Sequence, residues 1–205
     1  MDQLATKIVK FSNVFTEKEL VELKAVLQET TEDTLIYQYS GGNLGRLHIE
    51  NAPIPEFYTN RIESLIHSDF PGLLPTSPTP LYVEYSAEYG SPNLPPHFDG
   101  DTNSLIFDYQ LESNVVWPLG TDLTLHPLQD NEGVAFNPNE TIHWRPKKTF
   151  KPGEYVRMIF FRFHKPDPDR ADYSYLPNHQ DDPVFAEVKA YRESLGEDSF
   201  PSDGI

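Results

Sequence analysis

The sequence predicts an α+β fold in which N-terminal helices precede strands rolled into a small barrel or double sheet. Three observations carry that prediction. Amphipathic helical stretches fill the region before Pro71, and short runs rich in β-branched and aromatic residues dominate from Leu81 to Phe163. The 19 prolines, roughly twice the usual share, favour turns over long helices.

The first helix opens at Phe15-Thr16-Glu17-Lys18-Glu19-Leu20, where Thr16 caps, Glu19 closes a capping box and Phe15 staples onto Leu20. Leu20, Leu23, Val26 and Leu27 form one apolar stripe, so the helix runs to about Glu29. A second helix follows Pro55, turns Phe57, Ile62, Leu65 and Ile66 inward, and stops before Pro71. Pro71 to Pro80 is a proline-rich connector. Strand-like runs follow: LYVEYS, NSLIFDYQL, DLTLHPL, GVAFN and YVRMIFFRF, parted by turns such as Gln129-Asp130-Asn131-Glu132-Gly133. After Phe163 come PDPDR, a short helix from about Pro183 to Leu195, and a polar tail. A single domain over 1–205 is the simplest division, with a helical part at 1–80, a barrel core at about 81–164 and an extension at 165–205.

Composition narrows the chemistry. Hydrophobic residues make up 38%, with 13 Phe and 11 Tyr, enough for an aromatic-rich core. The formal charge of −16 leaves no basic stripe to neutralise phosphates, which argues against nucleic acid as a partner and mildly favours a neutral or cationic substrate. The absence of cysteine rules out disulfides, a thiolate nucleophile and Cys-ligated metal, so any metal must be held by His, Asp and Glu. No apolar signal core or membrane-spanning run is present, and a soluble cytoplasmic protein is the default expectation. Nothing in the sequence fixes the oligomeric state.

A His-x-acid pair occurs four times: His48/Glu50, His67/Asp69, His97/Asp99 and His179/Asp181. On a strand, residues i and i+2 share a face, whereas on a helix they diverge. His67 and Asp69 end a helix, and His179 and Asp181 lie in a polar loop with no histidine after them. His48 and Glu50 could take His97 as a third ligand, but no Lys or Arg occurs between His97 and Arg145, so that set lacks a nearby downstream basic anchor. His97 and Asp99 stand between two strand-like runs. His143 follows 46 residues later in GVAFNPNETIHWRP, and Arg157 follows 14 residues after that inside an apolar strand. A cation buried there needs an anionic partner. Two imidazoles and one carboxylate on one face of a metal give the facial triad of non-haem Fe(II) oxygenases, with zinc as the competitor on ligands alone. Arg157 favours iron, because 2-oxoglutarate carries a second carboxylate that a guanidinium recognises. His126 is the rival third ligand, and Arg162 and Arg145 are the alternative anchors.

Residues from about 81 to 164, through Tyr85, HFD, GVAFNP…HWR and PGEYVRMIFFRF, resemble the double-stranded β-helix core of the Fe(II)/2-oxoglutarate-dependent oxygenases, prolyl-4-hydroxylase-like branch. The resemblance implies a jelly-roll, cupin-like barrel braced by the N-terminal helices. It implies His97, Asp99 and His143 as catalytic iron ligands. It also implies Arg157, after Gly153, as the anchor of the co-substrate 2-oxoglutarate, with Tyr82 or Tyr85 assisting. O2 would be the second co-substrate. Halogenases of the family replace the carboxylate ligand; Asp99 is present, so hydroxylation of a small-molecule or peptidyl substrate is the implied reaction. Arg145 and Trp144, beside the distal histidine, are candidate substrate contacts. Two other readings use the same barrel: a cupin-type metal enzyme that does not use 2-oxoglutarate, and a non-catalytic binding module.

Overall fold

The computed structural model describes residues 7–33, 45–50, 52–76, 80–92, 94–99, 103–166, 183–197 and 199. His179 and Asp181, most of PDPDR and the polar tail lie outside the described residues.

The first helix, α1 (Glu17–Asp33), starts where the capping box places it. The Thr16 amide donates to Glu19 Oε2 at 2.7 Å and the Glu19 amide donates to Thr16 Oγ1 at 3.3 Å. Leu23 and Leu27 are buried, and Leu20 packs beside them. In α2 (Glu56–Ile66) the inward stripe is Tyr58, Ile62 and Ile66, spaced four apart. Phe57 is exposed, contrary to the sequence expectation, and Tyr58 takes the inward place, its hydroxyl donating to the Glu19 carbonyl at 2.9 Å. A third helix, α3 (Pro183–Leu195), matches its predicted bounds.

The strands form a double-stranded β-helix. One sheet orders β1 (Val9–Ser12), β8 (Glu132–Phe136), β5 (Leu105–Ser113), β10 (Tyr155–His164), β4 (Leu81–Ser86) and β2 (Leu47–Ile49), with β3 (Leu74–Pro75) pairing β10. A small second sheet orders β7 (Thr124–His126), β6 (Leu119–Thr121) and β9 (His143–Trp144). All described pairings are antiparallel.

Because side chains alternate along a strand, the large sheet separates two cores. Its outer face carries Tyr82, Leu105, Phe107, Tyr109, Leu111, Ile159, Phe161 and Phe163 against α1 and α2. Its inner face carries Leu81, Val83, Tyr85, Val134, Phe136, Val156 and Met158, packed with Trp117, Leu119 and Phe150. A third cluster places Val188 of α3 against Ile142 and Trp144. Gly120 makes that packing possible, since a Cβ there would stand 2.3 Å from the Trp144 ring.

Candidate metal centre and its cavity

Two of the proposed ligands are brought together by the backbone. His97 and His143 form an antiparallel bridge, each amide donating to the other's carbonyl, at 3.1 and 3.0 Å. Residues paired in this way face each other across about 5.5 Å between Cα atoms, and the two rings stand 4.1 Å apart. Phe98 turns to the α3 cluster, and alternation returns Asp99 to the side of His97. The Asp99 amide donates to the Pro138 carbonyl, tying the pair to the loop before His143.

The tautomers are set by short-range hydrogen bonds. His97 Nδ1 donates to the Pro95 carbonyl at 2.7 Å and His143 Nδ1 to the Thr141 carbonyl at 3.2 Å. In its neutral form each ring therefore presents Nε2 as the lone-pair atom, while a protonated His143 donates from Nε2 to Asp99. Asp99 Oδ1 lies 3.1 Å from His143 Nε2 and 3.6 Å from His97 Nε2, and all three ligand atoms fall within 4.8 Å of one another. Among the described residues this is the one such cluster of His and acid side chains. Burial opposes charge on His143, but the Asp99 carboxylate outweighs it and raises the imidazole above its usual value. Burial likewise opposes the charge on Asp99, yet the hydrogen bond and charge of His143 lower its carboxyl below the ordinary range. His97 has less support, and burial lowers it. A dication among the three atoms would relieve this crowding, and the set of neutral imidazoles and carboxylate fits Fe(II) or Zn(II).

The triad opens on a cavity of about 340 Å³ on the inner face, also lined by Arg46, Tyr85, Asp108, Phe160, Arg145 and Arg162. Arg145 follows His143 by two residues and extends into the barrel on the same side. It is 3% exposed, donates to the Trp117 carbonyl at 2.6 Å and Met158 Sδ at 2.8 Å, and lies over the Trp117 ring at 4.7 Å. No carboxylate among the described residues forms an ion pair with it, and burial lowers its pKa. Tyr85 reaches the same region, its hydroxyl accepting from Arg46 Nη1 at 3.0 Å. The Arg46 Nε is buried with no partner among the described residues.

Two expected site residues stand elsewhere. Arg157 shares its face of β10 with Ile159, Phe161 and Phe163, which is the helix-packed outer face. Its Nε donates to Glu84 Oε2 at 2.9 Å and its Nη1 to Glu112, whose other oxygen pairs with Lys24 of α1 at 2.7 Å. Tyr82 lies on that face too and donates to Glu84 at 3.0 Å. The anionic partners that Arg157 requires are thus two glutamates of the chain itself. Trp144 borders the cavity, but its indole donates to the Asp122 carbonyl at 2.9 Å and packs edge-on against Tyr191 of α3. His126 stays on β7, sharing a hydrogen bond with Thr121, and His48 contacts Glu50 on edge strand β2.

No protein-family profile and no curated protein matches the sequence. Solved structures do match. The non-heme alpha-ketoglutarate-dependent carbocyclase SnoK from nogalamycin biosynthesis superposes with a TM-score of 0.64 at 12% identity, over 79% of this chain and 81% of that one. The epimerase SnoN of the same biosynthesis gives 0.62 at 14% identity, over 78% of each chain. A Pseudomonas putida prolyl-4-hydroxylase gives 0.58 at 14% identity, over 80% of this chain and 95% of that one. The fold is that of the 2-oxoglutarate oxygenases. Alpha-ketoglutarate in those names is 2-oxoglutarate, so the barrel expected from residues 81–164 is the one found.

Two charged cavity residues were not anticipated. Asp108 left a trace: it is the only charge in the run LIFDYQL. Arg46 left none, because it arrives from a segment remote in sequence from the strands it touches.

Proposed function

We propose that the chain is a single-domain, cytoplasmic Fe(II)- and 2-oxoglutarate-dependent dioxygenase that hydroxylates an unactivated C–H bond of a small-molecule or peptidyl substrate. The overall balance is substrate, 2-oxoglutarate and O2 giving hydroxylated substrate, succinate and CO2. One observation carries the reading: two imidazole Nε2 atoms and one carboxylate oxygen converge at a cavity that also contains a buried guanidinium with no anion paired to it. His97, Asp99 and His143 would hold the iron. When bound, the iron supplies the redox chemistry that couples O2 activation to decarboxylation of the co-substrate.

The protein's own residues do the rest. Arg145, rather than Arg157, takes the anchoring role. Its charge is already desolvated and positioned, so a co-substrate carboxylate there forms a charge-assisted contact with little reorganisation. Arg46 and Tyr85 flank that position. Leu81, Ile106, Phe136 and Phe160 keep the space apolar. A cavity of about 340 Å³ is at the small end of ligand sites, roughly 300–1,000 Å³, so it suits the co-substrate and the reacting end of a second molecule.

Anaerobic addition of Fe(II) and 2-oxoglutarate tests the reading. A weak visible charge-transfer band that needs both components is expected. Tight metal binding without such a band would favour the cupin-type enzyme that does not use 2-oxoglutarate. Ligand binding with no O2 consumption under any substrate would favour the binding module. A substrate screen read by stimulated succinate release then identifies the prime substrate, and its product tests hydroxylation.

A further inference from the structure

Asp108 is 7% exposed and lines the cavity from the inner face of β5, and its carboxyl makes no hydrogen bond or ion pair among the described residues. A carboxylate withdrawn from water with no partner is costly, so its position calls for an explanation in the occupied cavity.

Strand register locates it. Ile106 pairs Arg162 and Phe136, and the Phe136 ring is 5.2 Å from that of His143, so this rung flanks the metal ligands. Gln110 pairs Met158, whose sulfur receives Arg145 Nη2, so that rung flanks the anchor. Asp108, opposite Phe160 and Val134, occupies the rung between them, about 7 Å from each along the strand. A dicarboxylate that reaches from the triad to Arg145 passes beside it.

We propose that Asp108 binds the co-substrate as a carboxylic acid: it takes up one proton from solvent as 2-oxoglutarate enters, and donates that O–H to a co-substrate carboxylate oxygen beside Arg145. The inference rests on the function proposed above. The groups that face Asp108 are Arg145, His143, Asp99 and Arg46, while Phe160, Val134 and Leu81 on the neighbouring strands are apolar. Before the co-substrate binds, the two arginines favour the ionised form. An incoming dianion cancels their charge and adds like charge, so the balance moves to the acid, whose O–H···O⁻ contact replaces a repulsion with a hydrogen bond. Burial already pushes Asp108 up to about 6, so the proton is gained readily near neutral pH.

Calorimetry on metal-loaded, anaerobic protein decides this. Titration of 2-oxoglutarate in two buffers of different ionisation enthalpy should show uptake of close to one proton near pH 7.5, with Kd rising about tenfold per pH unit above neutrality. Asp108→Asn, which keeps a donor without the charge, should show no uptake and a flat Kd. Asp108→Ala should also show no uptake, but bind more weakly than the Asn variant. Should a variant fail to fold, infrared difference spectra of the wild type must show a protonated-carboxyl C=O stretch appearing with 2-oxoglutarate. No proton uptake, or uptake that persists in Asp108→Asn, overturns the proposal. If the charge-transfer band forms without uptake, only this inference fails. If no band forms, the proposed function fails first.

Discussion

Arg157 and Arg145 are guanidiniums on opposite sides of the same sheet, and their surroundings differ in burial and in charge balance, the first reaching solvent and the second buried. On the outer face Arg157 is met by Glu84 and Glu112, with Lys24 completing a balanced network between sheet and α1. On the inner face Arg145 has a carbonyl, a thioether and an indole ring, but no carboxylate within ion-pair distance, Asp108 facing it across the cavity. A cation compensated by its own chain is fully accounted for by the fold. A buried cation left uncompensated costs stability, and a protein that keeps one has a use for an external anion. Charge balance as well as burial distinguishes the two arginines.

The sharpest way to break that comparison is at the metal. His143→Ala removes one of three ligands and the partner that keeps Asp99 ionised. Fe(II) affinity should fall by at least about 100-fold, more than loss of an outer-shell partner alone, and succinate formation should vanish. Metal titration and turnover check it; unchanged turnover would refute the triad.

Next in size is Arg145→Gln. Truncating one member of a buried charged contact costs about 2–5 kcal/mol, so the Kd for 2-oxoglutarate should rise by roughly 30-fold or more. The same change at Arg157 should leave the 2-oxoglutarate dependence untouched. Titration of the charge-transfer band in the two variants, side by side, reads the contrast directly. Equal losses would dissolve the distinction drawn between the two faces.

How far the sequence led follows from the same alternation. The triad was legible because few residue types make a metal ligand, and because strand-like runs on both sides of His97 and Asp99 gave the spacing meaning. Strands of five or more residues, such as β4 and β10, were visible; β3 and β9, at two residues each, carry no periodicity. The parity of β10 was also visible, with Arg157 sharing a face with Ile159, Phe161 and Phe163. What could not be read was which parity faces the cavity. Both faces of β10 are packed, so no polar side marks the outside, and α1 and α2 decide the matter through contacts far apart in sequence. Tyr58 replaced Phe57 for a related reason: adjacent aromatic residues fit either stripe until the partner surface chooses.

The outer network should yield stability rather than activity. Arg157→Gln leaves Glu84 and Glu112 with one cation fewer, but the Arg157 side chain is 36% exposed and solvent screens the network. A loss of about 1 kcal/mol in urea unfolding is expected, with kcat unchanged. A loss of activity at full stability would place Arg157 in the machinery after all.

The smallest effect concerns acid. Burial works against the charge on Glu112, but Lys24 and Arg157 prevail and lower its carboxyl below the usual 4.5. A carboxyl depressed in the folded state stabilises the protein at pH values above its unfolded pKa, and that contribution disappears as pH falls through the folded value. The stability gap between wild type and Glu112→Gln should therefore be complete at about pH 6, begin to close below about pH 4.5, and shrink further with continued acidification. Its full size should be no more than about 0.5 kcal/mol, since both cations reach solvent. Pairing it with Arg157→Gln sharpens the point: in that background the gap should be smaller at about pH 6 and close over a narrower range, because Lys24 alone remains to depress the carboxyl. A gap that widened in acid would mean that Glu112 is held protonated, and that the outer face is not the balanced network its geometry describes.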